Sequence, residues 1–292
     1  MQKHAKILVA TDLGPAGDQA IETAHAWCQK FEGTLVVMHA IGARLRVDPL
    51  FPQRHQGRAL GALELQRAVH EKIEERVSEL TGREPGSFGA RVVEGAAAEQ
   101  ILAVAHEIAA DLIVLGGRTA GGTRWVFGSV ADRVVTYADV PVLVARPDTA
   151  PPHILAATDF SEPSLPAVAA AHELSHALGA KATIVHCVER DTSYSAIHAF
   201  ARDATDGADP EEITAAHKRL REISDASPDH DPARVVVGDP AEAIVALAET
   251  LPATVIVVAS RGRTGLARLM LGSVAGRVVR HAPCSVYVVR LR

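Results

Sequence analysis

The sequence is short of several things at once. Its 292 residues include two Trp, three Tyr and six Phe, so a core must be assembled from Ala, Val, Leu and Ile. Small and β-branched residues of that kind suit buried parallel strands packed by Ala-rich helices. There are only three cysteines, Cys28, Cys187 and Cys284, odd in number, widely spaced and outside any C-x-x-C pattern. This excludes a disulfide framework and a zinc knuckle, and the cysteines read as small core residues. Basic charge is not in excess: 30 Lys and Arg stand against 35 Asp and Glu, and no basic run could track phosphates, so nucleic acid is excluded as a partner. The longest apolar runs, such as Val255 to Ala259, fall far short of the ~20 residues of a spanning helix, so no membrane partner is expected. The chain enters a strand pattern at Lys6 to Ala10 without a signal-peptide stretch, and a cytoplasmic location is expected.

What the chain does contain is a copy of itself. Lys6-Ile-Leu-Val-Ala-Thr-Asp12 returns as His153-Ile-Leu-Ala-Ala-Thr-Asp159, and Val37-Met-His39 as Val185-His186. Ala90-Arg-Val-Val-Glu-Gly95 matches Ala233-Arg-Val-Val-Val-Gly238, and Gly128-Ser-Val-Ala131 matches Gly272-Ser-Val-Ala275. Four blocks in the same order signify a duplication. The join falls at Pro147 to Pro152, which has three prolines and no apolar periodicity, giving domains 1–147 and 148–292.

Within each half, apolar strand runs alternate with helical patterns, the βαβ signature of a parallel, doubly wound sheet. Strands are expected near 6–11, 34–40, 90–94, 111–116 and 141–145, and near 153–158, 182–188, 233–237, 254–259 and 285–290. Ile101, Leu102, Ala105 and Ile108 are spaced as one face of a helix. Residues 43–89 and 189–232 differ most between the halves. In the first, Leu63, Val69, Ile73, Val77 and Leu80 form an apolar stripe on a helix over Arg58 to Leu80; in the second, turn formers at 203–207 and 227–232 flank a helix near 211–226.

Ligands of open parallel sheets settle at the carboxyl ends of the strands, where the direction of connection reverses. Three features meet there in each half. An Asp follows the first strand (Asp12, Asp159), a glycine-bearing loop follows the fourth, and a Gly-Ser pair opens the next helix (Gly128-Ser129, Gly272-Ser273). Glycine admits close approach, and a helix N-terminus presents unpaired N–H donors with partial positive charge, so the set describes a phosphate cradle. It is neither a Walker loop nor a dinucleotide fingerprint, since neither spacing occurs.

These residues resemble the universal stress protein family, whose nucleotide-binding members carry G-x2-G-x9-G-[ST] after the fourth strand. The second half reads Ala259-Ser-Arg-Gly262, nine residues, then Gly272-Ser273, departing only at the first Gly. The first half departs more: Gly116 is one residue too close to Gly128, and the second motif Gly has no counterpart there. The resemblance covers both halves. It implies two Rossmann-like domains of the adenine nucleotide alpha-hydrolase-like kind, strand order 3-2-1-4-5, that bind ATP or AMP, with or without magnesium, mainly in the second half. By that resemblance the base would lie near Ala157, Asp159, Cys187 and Val258, the phosphates against Gly262, Gly272, Ser273 and Val274, and Ala259 would border the nucleotide at the first motif position. Asp12, Gly116, Gly128, Ser129 and Val130 would form the first-half site. Asp159 would hold ribose or a phosphate-bound metal ion, or serve as a turn carboxylate; Arg261 and Arg263 rank below the glycines. It further implies a stress-response role with an unknown protein partner, and an internal pseudo-dimer of the two halves through their last strands, with a homodimer of whole chains left open.

One motif competes. His172-Glu-Leu-Ser-His176 is a literal H-E-x-x-H, in which two histidines one turn apart bind zinc and the Glu activates water. The equivalent first-half segment reads His25-Ala-Trp-Cys-Gln29 and no third ligand is nominated, so the helix reads as a structural element shared by both halves, an adventitious two-histidine metal site ranks above a protease centre, and no metal set is assigned. His39 and His186 read as satisfied sheet-end imidazoles, and no catalytic set assembles, although slow hydrolysis of ATP is compatible with the motifs. The rival readings are a nucleotide-independent scaffold and, more remotely, a metal-dependent hydrolase using His172 and His176.

Overall fold

Strands covered on both faces need apolar side chains at every position, and the runs Ile7-Leu-Val9 and Ile154-Leu-Ala156 are fully buried as that rule requires. The computed structural model describes residues 3–42, 55–120, 124–126, 128–147, 150–190, 208–226, 231–262 and 271–290. It divides into two units that meet in sequence at Arg146 and Pro147, except that Arg124 and Trp125 are grouped with the second. The predicted turn segments at 203–207 and 227–230, together with Arg263, lie outside the described residues.

The first unit runs β1 (Lys6–Ala10), α1 (Pro15–Phe31), β2 (Thr34–Ile41), α2 (His55–Thr81), β3 (Gly89–Glu94), α3 (Ala97–Glu107) and β4 (Leu112–Gly116). After β4 come the short strands β5 (Arg118–Ala120) and β6 (Arg124–Val126), which pair with each other, and then α4 (Ser129–Tyr137) and β7 (Val142–Ala145). The glycine-bearing stretch expected as a plain loop thus contains two strands. Its main sheet has the order β3-β2-β1-β4-β7, parallel throughout. The second unit runs β8 (His153–Ala157), α5 (Leu165–Leu178), β9 (Lys181–Val188), α6 (Pro210–Ala226), β10 (Ala233–Val237), α7 (Pro240–Thr250), β11 (Val255–Ala259), α8 (Ser273–His281) and β12 (Ser285–Val289). Its parallel order, β10-β9-β8-β11-β12, is the same 3-2-1-4-5 arrangement.

Right-handed crossovers place helices on opposite faces once the direction of connection reverses. Accordingly α1 packs with α2, and α3 with α4. The α1 helix turns Ala20, Ile21, Ala24, Trp27, Cys28 and Phe31 inward, a stripe at intervals of three and four. On α3 the buried face is Ala98, Ile101, Val104 and Ala105, so Leu102 and Ile108 are only partly covered. The stripe expected on α2 holds at Ile73 and Val77, both fully buried, and fails at Leu63, which is 64% exposed. Twenty-seven helical residues reach about 40 Å, whereas six-residue β3 spans about 20 Å. The helix outruns the sheet that could cover it.

The reversal lies between β1 and β4, and between β8 and β11, and opens a cleft at their carboxyl ends. At the end of β4 the chain passes so close to α1 that a Cβ on Gly116 would overlap the Ala16 carbonyl. Gly116→Ala should therefore cost about 1–3 kcal/mol through forced displacement of the α1 start, read as a lower urea midpoint for the first unit. An unchanged midpoint would show that the α1 N-terminus yields freely.

Candidate functional site

Each site begins where the first strand of its unit ends, and the two copies share their bonding. Leu13 and Phe160, one residue past the Asp, adopt φ of 60° and 65°. That left-handed conformation is strained for a side chain larger than Asn or Asp. It is held by the preceding threonines: Leu13 N–H donates to Thr11 Oγ1 at 2.9 Å, and Phe160 N–H to Thr158 Oγ1 at 3.1 Å. The Asp carboxylate then accepts from the backbone two residues on, Gly14 N at 3.0 Å in one copy and Ser161 N at 3.0 Å in the other. Ser161 Oγ also donates to Asp159 Oδ1. Asp159 is thus the turn carboxylate that one sequence reading expected, and it lines the cleft as well.

The histidines ending the second strands complete the turn. His39 Nδ1 lies 2.8 Å from Thr11 O, and His186 Nδ1 lies 2.9 Å from Thr158 O. A carbonyl only accepts, so each ring carries a proton on Nδ1. His186 is buried and stacks on Phe160 with 3.9 Å between ring centroids. Both are the satisfied sheet-end imidazoles expected from sequence.

In the second unit the cleft holds about 240 Å³, and all nine residues named for it from sequence line it: Ala157, Asp159, Cys187, Val258, Ala259, Gly262, Gly272, Ser273 and Val274. In the first unit a cleft of about 280 Å³ is lined by Asp12, Gly116, Gly128, Ser129 and Val130. Ala259 ends β11 in register with Val289 and is absent from the residues with positive φ, so its methyl group needs no left-handed backbone. Gly262 packs directly on Asp159, whose carboxylate a Cβ there would overlap.

One expected donor is spent. The Gly272 amide donates to Ser260 O at 2.8 Å, closing the loop onto the helix, and cannot serve a ligand. The amides of Ser273, Val274 and Ala275 precede the first intrahelical bond, which Gly276 N makes to Gly272 O. The N-cap residues of α8 and of α4 in the first unit are Gly272 and Gly128, which provide no side-chain cap. By contrast α7, which ends the wall of the same cleft through Pro240 and Ile244, is capped by Asp239, whose Oδ1 accepts from Glu242 N at 3.1 Å. Arg277 of α8 donates to Asp239 Oδ2 at 2.6 Å and to Glu242 at 3.1 Å, joining the two helices; its hydrogen bond holds the Asp239 carboxyl below its ordinary range.

Sequence reading missed several lining residues, among them Thr158, Ser164, Glu189, Glu212 and Ile244. Glu212 and Ile244 come from helices outside the motif, and only folding brings them in. A subtler omission was legible: α4 carries Asp132 in its first turn, and α8 has no acid there because Gly276 occupies that position. A carboxylate at a helix start opposes a second anion at the same amides. The start of α8 thus carries no such opposing charge, and Asp159, Glu189 and Glu212 are the carboxylates that line the second-unit cleft.

The universal stress protein family profile matches residues 4–146 and 152–290. A universal stress protein of Mycobacterium tuberculosis is 28% identical over 302 aligned positions, covering 97% of this chain and 96% of its own length. Other curated relatives are matched over less of their length. One from Methanocaldococcus jannaschii is 51% identical over 53 residues, covering 18% of this chain and 31% of its own, and one from Mycobacterium bovis is 32% identical over 189 residues, 62% of each chain. A solved universal stress protein from Archaeoglobus fulgidus, 22% identical, shares the fold with a TM-score of 0.68 over 98% of both chains. No helix among the described residues is long and apolar enough to cross a membrane.

The cleft thiol has a chemical signature of its own. Burial pushes the Cys187 thiol up to about 11, with Glu189 and Asp239 adding to the rise. Since the thiolate is the nucleophile, alkylation of Cys187 by iodoacetamide should be slow at pH 8 and rise roughly tenfold per pH unit up to pH 10. Mass spectrometry of the Cys187 peptide follows this, and a rate already flat at pH 8 would refute the half-buried, neutral thiol.

Proposed function

The chain belongs to the universal stress protein family, and on that premise we propose that it binds an adenine nucleotide reversibly, ATP or AMP, chiefly in the cleft of its second unit. The observation that carries this reading is the uncapped start of α8, with three available amides and no acid in its first turn, set beside Asp159 across Gly262. Phosphate would rest on Ser273, Val274 and Ala275, and the base and ribose between the ends of β8, β9 and β11. When magnesium accompanies ATP, it supplies charge neutralisation of the phosphates, and Asp159 is the carboxylate nearest the cradle loop. No catalytic residue is assigned. We place the protein in the cytoplasm, where occupancy of the cleft would be read by a protein partner in a stress response.

The first unit supports the second reading, a nucleotide-independent scaffold, because Asp132 opposes an anion at the same place on α4. The two units would then divide the labour, one sensing nucleotide and the other serving contact.

Isothermal titration of the full chain with Mg-ATP, after nucleotide carried from purification has been extracted and identified, tests the reading. One equivalent should bind. Gly262→Val should weaken it about 10–100-fold, the equivalent of about 1–3 kcal/mol of overpacking against Asp159; Gly128→Val should do little. Absence of both carried nucleotide and heat of binding would overturn nucleotide binding in favour of the scaffold. Independently, Asp132→Asn should strengthen any first-unit binding by about two- to fivefold, the worth of one charge at a helix terminus. Equal affinity in that variant would remove the electrostatic account of the asymmetry.

A further inference from the structure

The H-E-x-x-H string lies on α5, away from the cleft, and the folded chain adds to it something the sequence did not offer. His172 Nε2 and His176 Nε2 approach to 3.2 Å, with the rings edge to face and 4.5 Å between centroids. Behind them stands Asp231, at the entrance to β10, whose Oδ2 lies 3.3 Å from His172 Nδ1. The Asp231 side chain is 8% exposed and that of His172 is 20% exposed, while His176 is open to solvent. Fifty-nine positions separate His172 from Asp231, so the arrangement belongs to the tertiary fold.

We propose that His172 and His176 form a site for one exchangeable divalent transition-metal ion of the imidazole-preferring class, zinc or copper(II), oriented by Asp231. Two nitrogens 3.2 Å apart, each bonded to an ion at about 2.0–2.1 Å, subtend about 100° at the metal, close to what tetrahedral coordination needs. The carboxylate at Nδ1 holds the proton on that nitrogen and leaves the His172 Nε2 lone pair facing His176. This is the carboxylate–histidine–metal relation found behind ligating imidazoles. In the metal-free protein the same geometry makes His176 Nε2–H the donor to His172 Nε2. Loading the ion displaces that proton, and a neutral His176 accommodates it on Nδ1.

Asp231 lies on the far edge of the His172 ring and cannot reach the same ion. Among the described residues no group of three or more His, Cys, Asp or Glu is arranged around one point. Among the described residues two imidazoles are the protein ligands, with solvent completing the shell. That is an open, exchangeable site, unlike a closed structural zinc centre, and the described residues supply no third protein ligand of the kind the hydrolase reading needs. The ion would fasten α5, through His172 and Asp231, to the segment entering β10, so loading should stabilise the second unit in proportion to its affinity.

The test is zinc titration of the full chain, read by competition with a chromophoric chelator, for the unaltered protein, His176→Gln and Asp231→Asn. His176 is exposed, so His176→Gln should keep the metal-free melting temperature. The unaltered protein should bind one equivalent that His176→Gln loses, and zinc should raise the melting temperature only when that equivalent is bound. Asp231→Asn should retain the stoichiometry with affinity about 10–100-fold lower, the usual cost of removing an orienting carboxylate. Equal stoichiometry and affinity in the unaltered protein and His176→Gln would place any zinc on the other histidines and overturn the proposal. An Asp231→Asn variant equal to the unaltered protein would overturn the orienting role.

Discussion

Both units hang on the turn that leaves the central strand. A parallel sheet of order 3-2-1-4-5 puts its first strand at the point where connections diverge, and the chain must there swing away from the sheet into a helix. It does so through one left-handed residue, Leu13 or Phe160, a conformation that L side chains resist. The threonine hydroxyl takes that residue's N–H, and the histidine of the neighbouring strand takes the threonine carbonyl. Two short polar contacts thus convert a strained backbone into a fixed one. The next residue's amide meets the Asp carboxylate, which is how Asp12 and Asp159 come to line the clefts.

Once that turn is set, the fourth strand and the helix after it decide what each cleft can hold. In the first unit α1 presses on the end of β4, and Gly116 is the residue that allows it. Ala259 ends β11 of the second unit, and since neither residue has a positive φ, the demand for glycine at Gly116 comes from the closeness of α1 and not from backbone conformation. The helix starts differ by one residue of consequence, Asp132 against Gly276. Duplication preserved the scaffold, whose core tolerates few changes, and left the helix termini free to diverge because their cost is only a few tenths to about one kcal/mol.

The same separation explains what could be read in advance. The strands and the Thr-Asp and Gly-Ser blocks were legible because buried strands need unbroken apolar runs and because every block occurs twice; the strand order came from the family resemblance. The α2 stripe was over-read at Leu63, since helical periodicity reports a face and says nothing of whether a sheet reaches it. Gly272 lines the cleft, and the engagement of its amide by Ser260 O is a local closure that motif spacing does not encode.

Sequence alone determined that this is one α/β domain written twice, where the strands run, and which loop residues meet at their carboxyl ends. Those follow from periodicity and repetition, which are properties of neighbours along the chain. The tertiary structure alone decided that Glu212 and Ile244 wall the cleft, that Ser273, Val274 and Ala275 rather than Gly272 present available amides, and that Asp231 stands behind His172. The reason is physical: a hydrogen bond or a cleft wall depends on distances between residues far apart in sequence, and packing settles those distances.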